Sequence, residues 1–248
     1  GVKSDGSVVA WGLNDTGQTD VPAPNIGFVA VTGGYWHSLG LTTDGSIVVW
    51  GCGNSHDWGQ CAVPVPNSGF VGVSAGRANS VGLKADGSIV PWGYNVYGQL
   101  DVPAPNSGFV NIAAGSAYTL GLKANGSIIA WGCKVGDDDW GQCNGPIPNE
   151  GFIAVAAGVS HMLGLRADGS VVSWGAVYTG MIEVPEPNAG FVGIAAGHVH
   201  SLGLKTDGSI VAWGCGIGLL PEYARYYDFG QCDVPAPNAD FIAVAAGW

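Results

Sequence analysis

The sequence predicts an all-β, six-bladed β-propeller occupying residues 1–248 as a single domain. Three observations carry this: a Trp-Gly pair recurring six times, apolar runs cut short by Gly and Pro, and two chain ends that supply parts of one repeat. The pairs begin at 11, 50, 92, 131, 174 and 213, with spacings of 39, 42, 39, 43 and 39. A period of about 41 residues belongs to propeller blades and to short helical repeats, and β-like runs this short exclude the helical alternative. Glycine is 43 of 248 residues without a Gly-X-Y period, which excludes collagen and favours a turn-rich chain.

One unit reads GFVGVSAG, NSVGLKADG, SIVPWG and GQLDVPAPN, so each blade should hold three or four short strands. The first run opens on Phe28, Phe70, Phe109, Phe152, Phe191 or Phe241, a ring expected to fill the space between blades. The next two runs are separated by Asp5-Gly6, Asp44-Gly45, Asp86-Gly87, Asn125-Gly126, Asp168-Gly169 and Asp207-Gly208, the signature of a two-residue hairpin needing φ > 0. The strand that ends on Trp-Gly is apolar on both faces, as expected where a sheet is covered on both sides. Each Pro-x-Pro-Asn, beginning at Pro22, Pro64, Pro103, Pro146, Pro185 and Pro235, cannot donate to a ladder and marks the crossing to the next sheet. The C-terminal DFIAVAAGW and the N-terminal GVKSDGSVVAWG complete one repeat apart from the residues matching HSL, so circular closure is expected; an open or longer array is the alternative.

Eight basic and 19 acidic residues give a formal net charge of −11, which disfavours nucleic acid and anionic membrane surfaces as partners. No run of 18 apolar residues would insert in a membrane. The six cysteines bracket three loops, Cys52 with Cys61, Cys133 with Cys143, and Cys215 with Cys232, and lack the CxxC spacing of zinc or redox sites. Local disulfides are therefore expected, on a secreted or surface-displayed monomer whose leader, if it has one, is removed or omitted. Blades with cysteines alternate with blades without, which predicts a pseudo-three-fold arrangement of stapled loops on one face.

The unit GFVxVAAGxxHSLGLKxDGSIVAWGxNxxGQ, best seen in residues 27–60 and 190–214, resembles the repeat of the regulator of chromosome condensation family of β-propellers. That resemblance covers essentially the whole chain and implies the fold. In unit length the chain is similar to secreted bacterial propellers that inhibit β-lactamases, which grip their target through loops after the AG of each blade. The resemblance carries that role to Tyr35, Trp36, Arg77, Ala78, Ser116, Ala117, Val159, Ser160, His198, Val199 and Trp248. This chain differs in its cysteine loops and in having six tryptophan units where those inhibitors have seven blades.

No GxSxG, HExxH or P-loop pattern occurs, so no catalytic residue, cofactor or metal is assigned. His37, Asn79, Tyr118, His161 and His200 share one repeat offset, and a hydrogen-bonding role explains Asn and Tyr at that offset better than metal ligation does. Inside the stapled loops, Trp58, Trp140 and Phe229 follow Asp57, Asp139 and Asp228; each aromatic either packs under its own loop or binds a ligand. The third insertion, LLPEYARYYDFG, adds Tyr223, Arg225, Tyr226 and Tyr227, residue types that anchor protein epitopes and stack on sugars. The expected partner is an extracellular protein, with a glycan as the alternative. A hydrolase or lyase would require acidic groups to converge in a pocket.

Overall fold

The computed structural model describes residues 1–53, 56–133, 141–176, 181–215 and 230–247. Trp140, Tyr223, Arg225, Tyr226, Tyr227 and Trp248 lie outside the described residues. Among those described there are five antiparallel three-stranded sheets, in the order inner, middle, outer. They are β1 (Phe28–Gly33), β2 (His37–Thr42) and β3 (Ile47–Gly51); β4 (Phe70–Ala75), β5 (Asn79–Lys84) and β6 (Ile89–Gly93); β7 (Phe109–Ala114), β8 (Tyr118–Lys123) and β9 (Ile128–Gly132). The last two sheets are β10 (Phe152–Ala157), β11 (His161–Arg166) and β12 (Val171–Gly175), then β13 (Phe191–Ala196), β14 (Ser201–Lys205) and β15 (Ile210–Trp213). Each blade has three strands, and the GQ-to-Pro segment runs outside the ladder.

The inner strands stand around a cavity of about 200 Å³ lined by Thr32, Ser74, Ala113, Ala156, Ala195 and Ala245 among others. Residues 241–247 therefore share this axis with β1, β4, β7, β10 and β13, an arrangement compatible with six blades. At the other end of the chain, Val2 and Val8 form an antiparallel bridge that repeats the pairing of Leu204 with Ile210. No ladder joins these terminal segments among the described residues. Ile242 is 95% exposed and Trp11 77%, whereas the repeat-equivalent Trp50, Trp92, Trp131 and Trp213 are buried.

The Asp-Gly turns stand where the sequence puts them but have a different geometry. A two-residue type I′ turn needs φ > 0 at both central residues; here Gly45 has φ 77°, while Asp44 is not among the positive-φ residues. Gly45 N–H donates to the Thr42 carbonyl and Thr42 N–H to the Ser46 carbonyl, a longer turn with the glycine as its bulge. Asp44 instead accepts from the Ser46 backbone N–H and hydroxyl, and Asp86, Asp168 and Asp207 repeat this.

The crossing loops add contacts invisible in the sequence. The asparagine of each Pro-x-Pro-Asn pairs with both backbone groups of the residue opening an outer strand: Asn67 with Ile47, Asn106 with Ile89, Asn149 with Ile128, Asn188 with Val171. The preceding X-Pro bonds, such as Val65-Pro66 and Ala104-Pro105, are cis.

Phe70 packs with Trp92 of its own blade and with Leu39, Leu41 and Ile47 of the blade before, so the ring does fill the inter-blade space. Its edge lies over Gly82 on the middle strand, where a Cβ would overlap the Phe70 ring. At Gly72, on the inner strand, the nearest atom to such a Cβ is Leu83 Cβ at 3.5 Å, an ordinary contact. Gly82→Ala is expected to lower the unfolding free energy by about 1–3 kcal/mol through overpacking, and Gly72→Ala by much less. Urea unfolding of the two variants checks this, and equal midpoints would contradict the role given to Gly82.

Candidate binding face

Two kinds of loop meet at one end of the blades. The AG loops join inner to middle strands, and the loops leaving each Trp-Gly strand lie beside them: Cys52 N–H donates to the Trp36 carbonyl, Tyr94 to Ala78, Cys133 to Ala117 and Ala176 to Ser160, all at 2.8–3.1 Å. The Asp-Gly turns and Pro-x-Pro-Asn loops occupy the opposite end, where Phe70 N–H donates to the Gly45 carbonyl and Phe109 to Gly87.

Buried glutamines fix the exit loops. Gln60 and Gln99 have no exposed surface, and each side-chain oxygen accepts from the backbone N–H two residues earlier, at Trp58 (2.7 Å) and Tyr97 (3.0 Å). Gln60 Nε2 also donates to the His56 carbonyl. The three expected disulfides are formed: Cys52–Cys61, Cys133–Cys143 and Cys215–Cys232. The shorter loops carry a polar clasp between matching positions. Asn95 Nδ2 donates to Asp101 at 2.9 Å while its Oδ1 accepts from Leu100 N–H, and Asn14 does the same with Asp20 and Thr19.

On this frame six aromatic rings form a continuous ridge across two blades. Tyr35 meets Trp36 edge to face at 4.4 Å, and Trp36 stacks on His56 at 3.9 Å. His56 meets Trp58 at 5.8 Å, Trp58 meets Tyr94 at 6.0 Å and Tyr94 meets Tyr97 at 6.2 Å, each edge to face. Tyr35 and Trp58 are 38% and 45% exposed. Trp58 thus packs against Tyr94 of the next blade. Arg77, exposed on the adjoining AG loop, follows Gly76, whose carbonyl accepts from Tyr35 N–H. Tyr35, Trp36 and Trp58 were expected from sequence. His56, Tyr94 and Tyr97 were missed, although Tyr97 precedes a GQ pair just as Trp58 does.

The described cations are shared unequally between the two ends. Lys84, Lys123 and Lys205 place their ammonium groups 3.5–3.6 Å from the centroids of Phe70, Phe109 and Phe191, and Arg166 lies 5.1 Å from Phe152. All four also donate to a proline carbonyl of the crossing loop. This fixes them at the Asp-Gly end. The exit loops carry Asp15, Asp20, Asp57, Asp101, Glu183 and Asp233, and among the described residues Arg77 is the basic residue of that face.

The regulator of chromosome condensation (RCC1) repeat matches residues 28–57 and 152–176. By sequence, no curated protein matches the chain. Among solved structures, Prp20p from Saccharomyces cerevisiae superposes with a TM-score of 0.73 at 18% identity, over 99% of this chain and 77% of Prp20p. The CRINKLY WD40 ectodomain of the Arabidopsis thaliana receptor kinase ACR4 gives 0.69 at 24% identity, over 98% and 82%. The ectodomain of the Physcomitrella patens receptor kinase CR4 gives 0.66 at 24% identity, over 89% and 56%. At these identities the likeness is one of fold.

Beneath the AG loops the repeated histidine position ties blades together. His37 Nε2 lies 2.8 Å from Ser80 Oγ of the next blade, and Ser80 donates on to the Gln60 carbonyl, so the histidine holds its proton on Nε2. His161 meets Ser201 in the same way at 3.0 Å, and the Tyr118 hydroxyl donates to the Gly158 and His161 carbonyls. Burial lowers both His37 and His161 to about 4. With folded values below the unfolded one, the unfolded chain binds more protons between about pH 4 and 6.5, so stability is full above that window and falls as pH drops through it. Acid should cost at most about 3 kcal/mol per histidine, measurable as a falling urea midpoint from pH 7.5 to 4.5. His37→Asn, the residue natural at Asn79, should flatten that slope by one proton; an unchanged slope would contradict it.

Proposed function

Given that the chain is an RCC1-like β-propeller, we propose that it is a secreted, non-enzymatic binding protein that recognises an extracellular protein through its AG-loop face. The observation that carries this reading is the ridge from Tyr35 to Tyr97, six rings held by backbone hydrogen bonds, a disulfide and buried glutamines. Preorganised aromatic side chains lose little entropy on binding and are the residue types on which interface energy concentrates. Three disulfides suit an oxidising compartment. A glycan is the second reading, favoured by the partly exposed Trp58 ring beside the exposed Asp57, a pairing that stacks on a sugar and accepts from its hydroxyls.

The immobilised full chain should capture a protein from the extracellular fluid of its host. Tyr35→Ala with Trp58→Ala should weaken that capture at least about tenfold, because loss of a hot-spot ring costs about 2 kcal/mol or more. Val65→Ser with Ile147→Ser, on exposed residues of the opposite end, should leave it unchanged. Equal capture by all three proteins would overturn the assignment of the face. Saturation by an oligosaccharide without protein capture would replace the first reading with the second.

A further inference from the structure

Resting on that reading of the face, we propose that the outer half of the ridge, Trp58, Tyr94 and Tyr97 with Asp57, docks an Arg- or Lys-bearing segment of the protein partner. Three observations converge on cationic chemistry. Aromatic faces attract cations through the ring quadrupole, and Trp and Tyr do so better than most surfaces. The carboxylate of Asp57 is one residue from Trp58 and orients on the Gly59 N–H at 2.8 Å. The Trp58 ring is therefore next to a fixed acid.

The third observation is where the chain keeps its own cations. Among the described residues every cation over a ring is at the opposite end, on Phe70, Phe109, Phe152 or Phe191, and each also meets a backbone carbonyl acceptor. The combination of ring and oxygen acceptor recurs at Trp58 with Asp57, and among the described residues no cation of this chain lies over Trp58, Tyr94 or Tyr97. The net charge of −11 adds long-range attraction for a basic partner and repels an acidic one.

Arg77 sets the polarity of docking. Its backbone adjoins Tyr35 at the inner end of the ridge and its charge acts at His198 of another blade, so a basic segment is repelled from the inner part of the face and drawn to the outer end of the ridge. Tyr35 and Trp36 are left to contact apolar parts of the partner.

The test titrates the full chain with four probes and follows tryptophan fluorescence and heat. They are a capped peptide alternating Gly and Arg, its citrulline counterpart, its Glu counterpart, and cellohexaose. Citrulline keeps the hydrogen-bonding shape of arginine and removes the charge. The arginine peptide should bind, weakening about tenfold between about 50 and 500 mM salt, and the other three should bind at least about tenfold more weakly. Trp58→Ala with Tyr94→Ala should abolish binding, Asp57→Asn should weaken it about threefold, and Arg77→Gln should strengthen it. Because Asp57 and Arg77 are exposed, their variants keep the proposal testable even where the double alanine variant unfolds. Equal binding of the citrulline peptide or cellohexaose, or unchanged binding by the ridge and Asp57 variants, would overturn it. An arginine peptide that fails while the extracellular protein is still captured overturns the cationic chemistry and leaves the face assignment standing; loss of both removes both.

Discussion

Each blade is seated on its neighbour by one hydrogen bond that recurs at a separation of 32 residues. The indole N–H of Trp50 donates to the backbone carbonyl of Gln18, Trp92 to Gln60, Trp131 to Gln99, Trp174 to Gln142 and Trp213 to Met181, at 2.7–3.3 Å. Most of these carbonyls are buried and also accept from the middle strand, from Ser38, Ser80 or Thr119. A buried carbonyl left unpaired is costly, so the exit loop of one blade must finish at the wall of the next. Met181 shows that the carbonyl matters here: the side chain changes and the bond remains. The aromatic ridge follows from this constraint, since the same docking brings the loop carrying His56 and Trp58 against Tyr94.

Much of the architecture was legible because a repeat writes the same physical requirement several times. Trp-Gly, Asp-Gly and Pro-x-Pro-Asn recur at fixed offsets, and each offset corresponds to one backbone task. What the repeat could not reveal is geometry that depends on partners from another unit. Asp44 looks like a residue of a two-residue turn, but its carboxylate is engaged with Ser46, and only the hydrogen-bond pattern distinguishes the two. Asn67 reads as a loop residue, yet it extends the preceding sheet by pairing with Ile47.

The face itself was half visible. Tyr35 and Trp36 put rings where other AG loops carry Arg77-Ala78, Ser116-Ala117 or Val159-Ser160, and Trp58 recurs as Trp140 and Phe229 in the other stapled loops, so all three stand out in the sequence. Tyr94 and Tyr97 sit in a loop of ordinary length, more than thirty residues from Trp58, and only the inter-blade seating joins them. The uneven placement of the cations was hidden for a related reason. A net charge of −11 is a sum over the chain, whereas Lys84, Lys123, Arg166 and Lys205 are confined to one end because they occupy one repeat offset over a phenylalanine.

The stapled loops separate what the ring requires from what the loops may become. The bridged cysteines hold their Cα atoms 6.4, 6.4 and 6.0 Å apart across sequence separations of 9, 10 and 17 residues. The propeller thus meets nearly the same boundary whatever the chain does in between, and closing a longer loop adds little entropic cost because the penalty grows only with the logarithm of length. Drift in those segments is insulated from folding up to the Gly-Gln pair before the second cysteine, where the Gln60 and Gln142 carbonyls seat the next blade. A chain built this way is a natural display scaffold, able to try new recognition sequences at three positions without renegotiating its core.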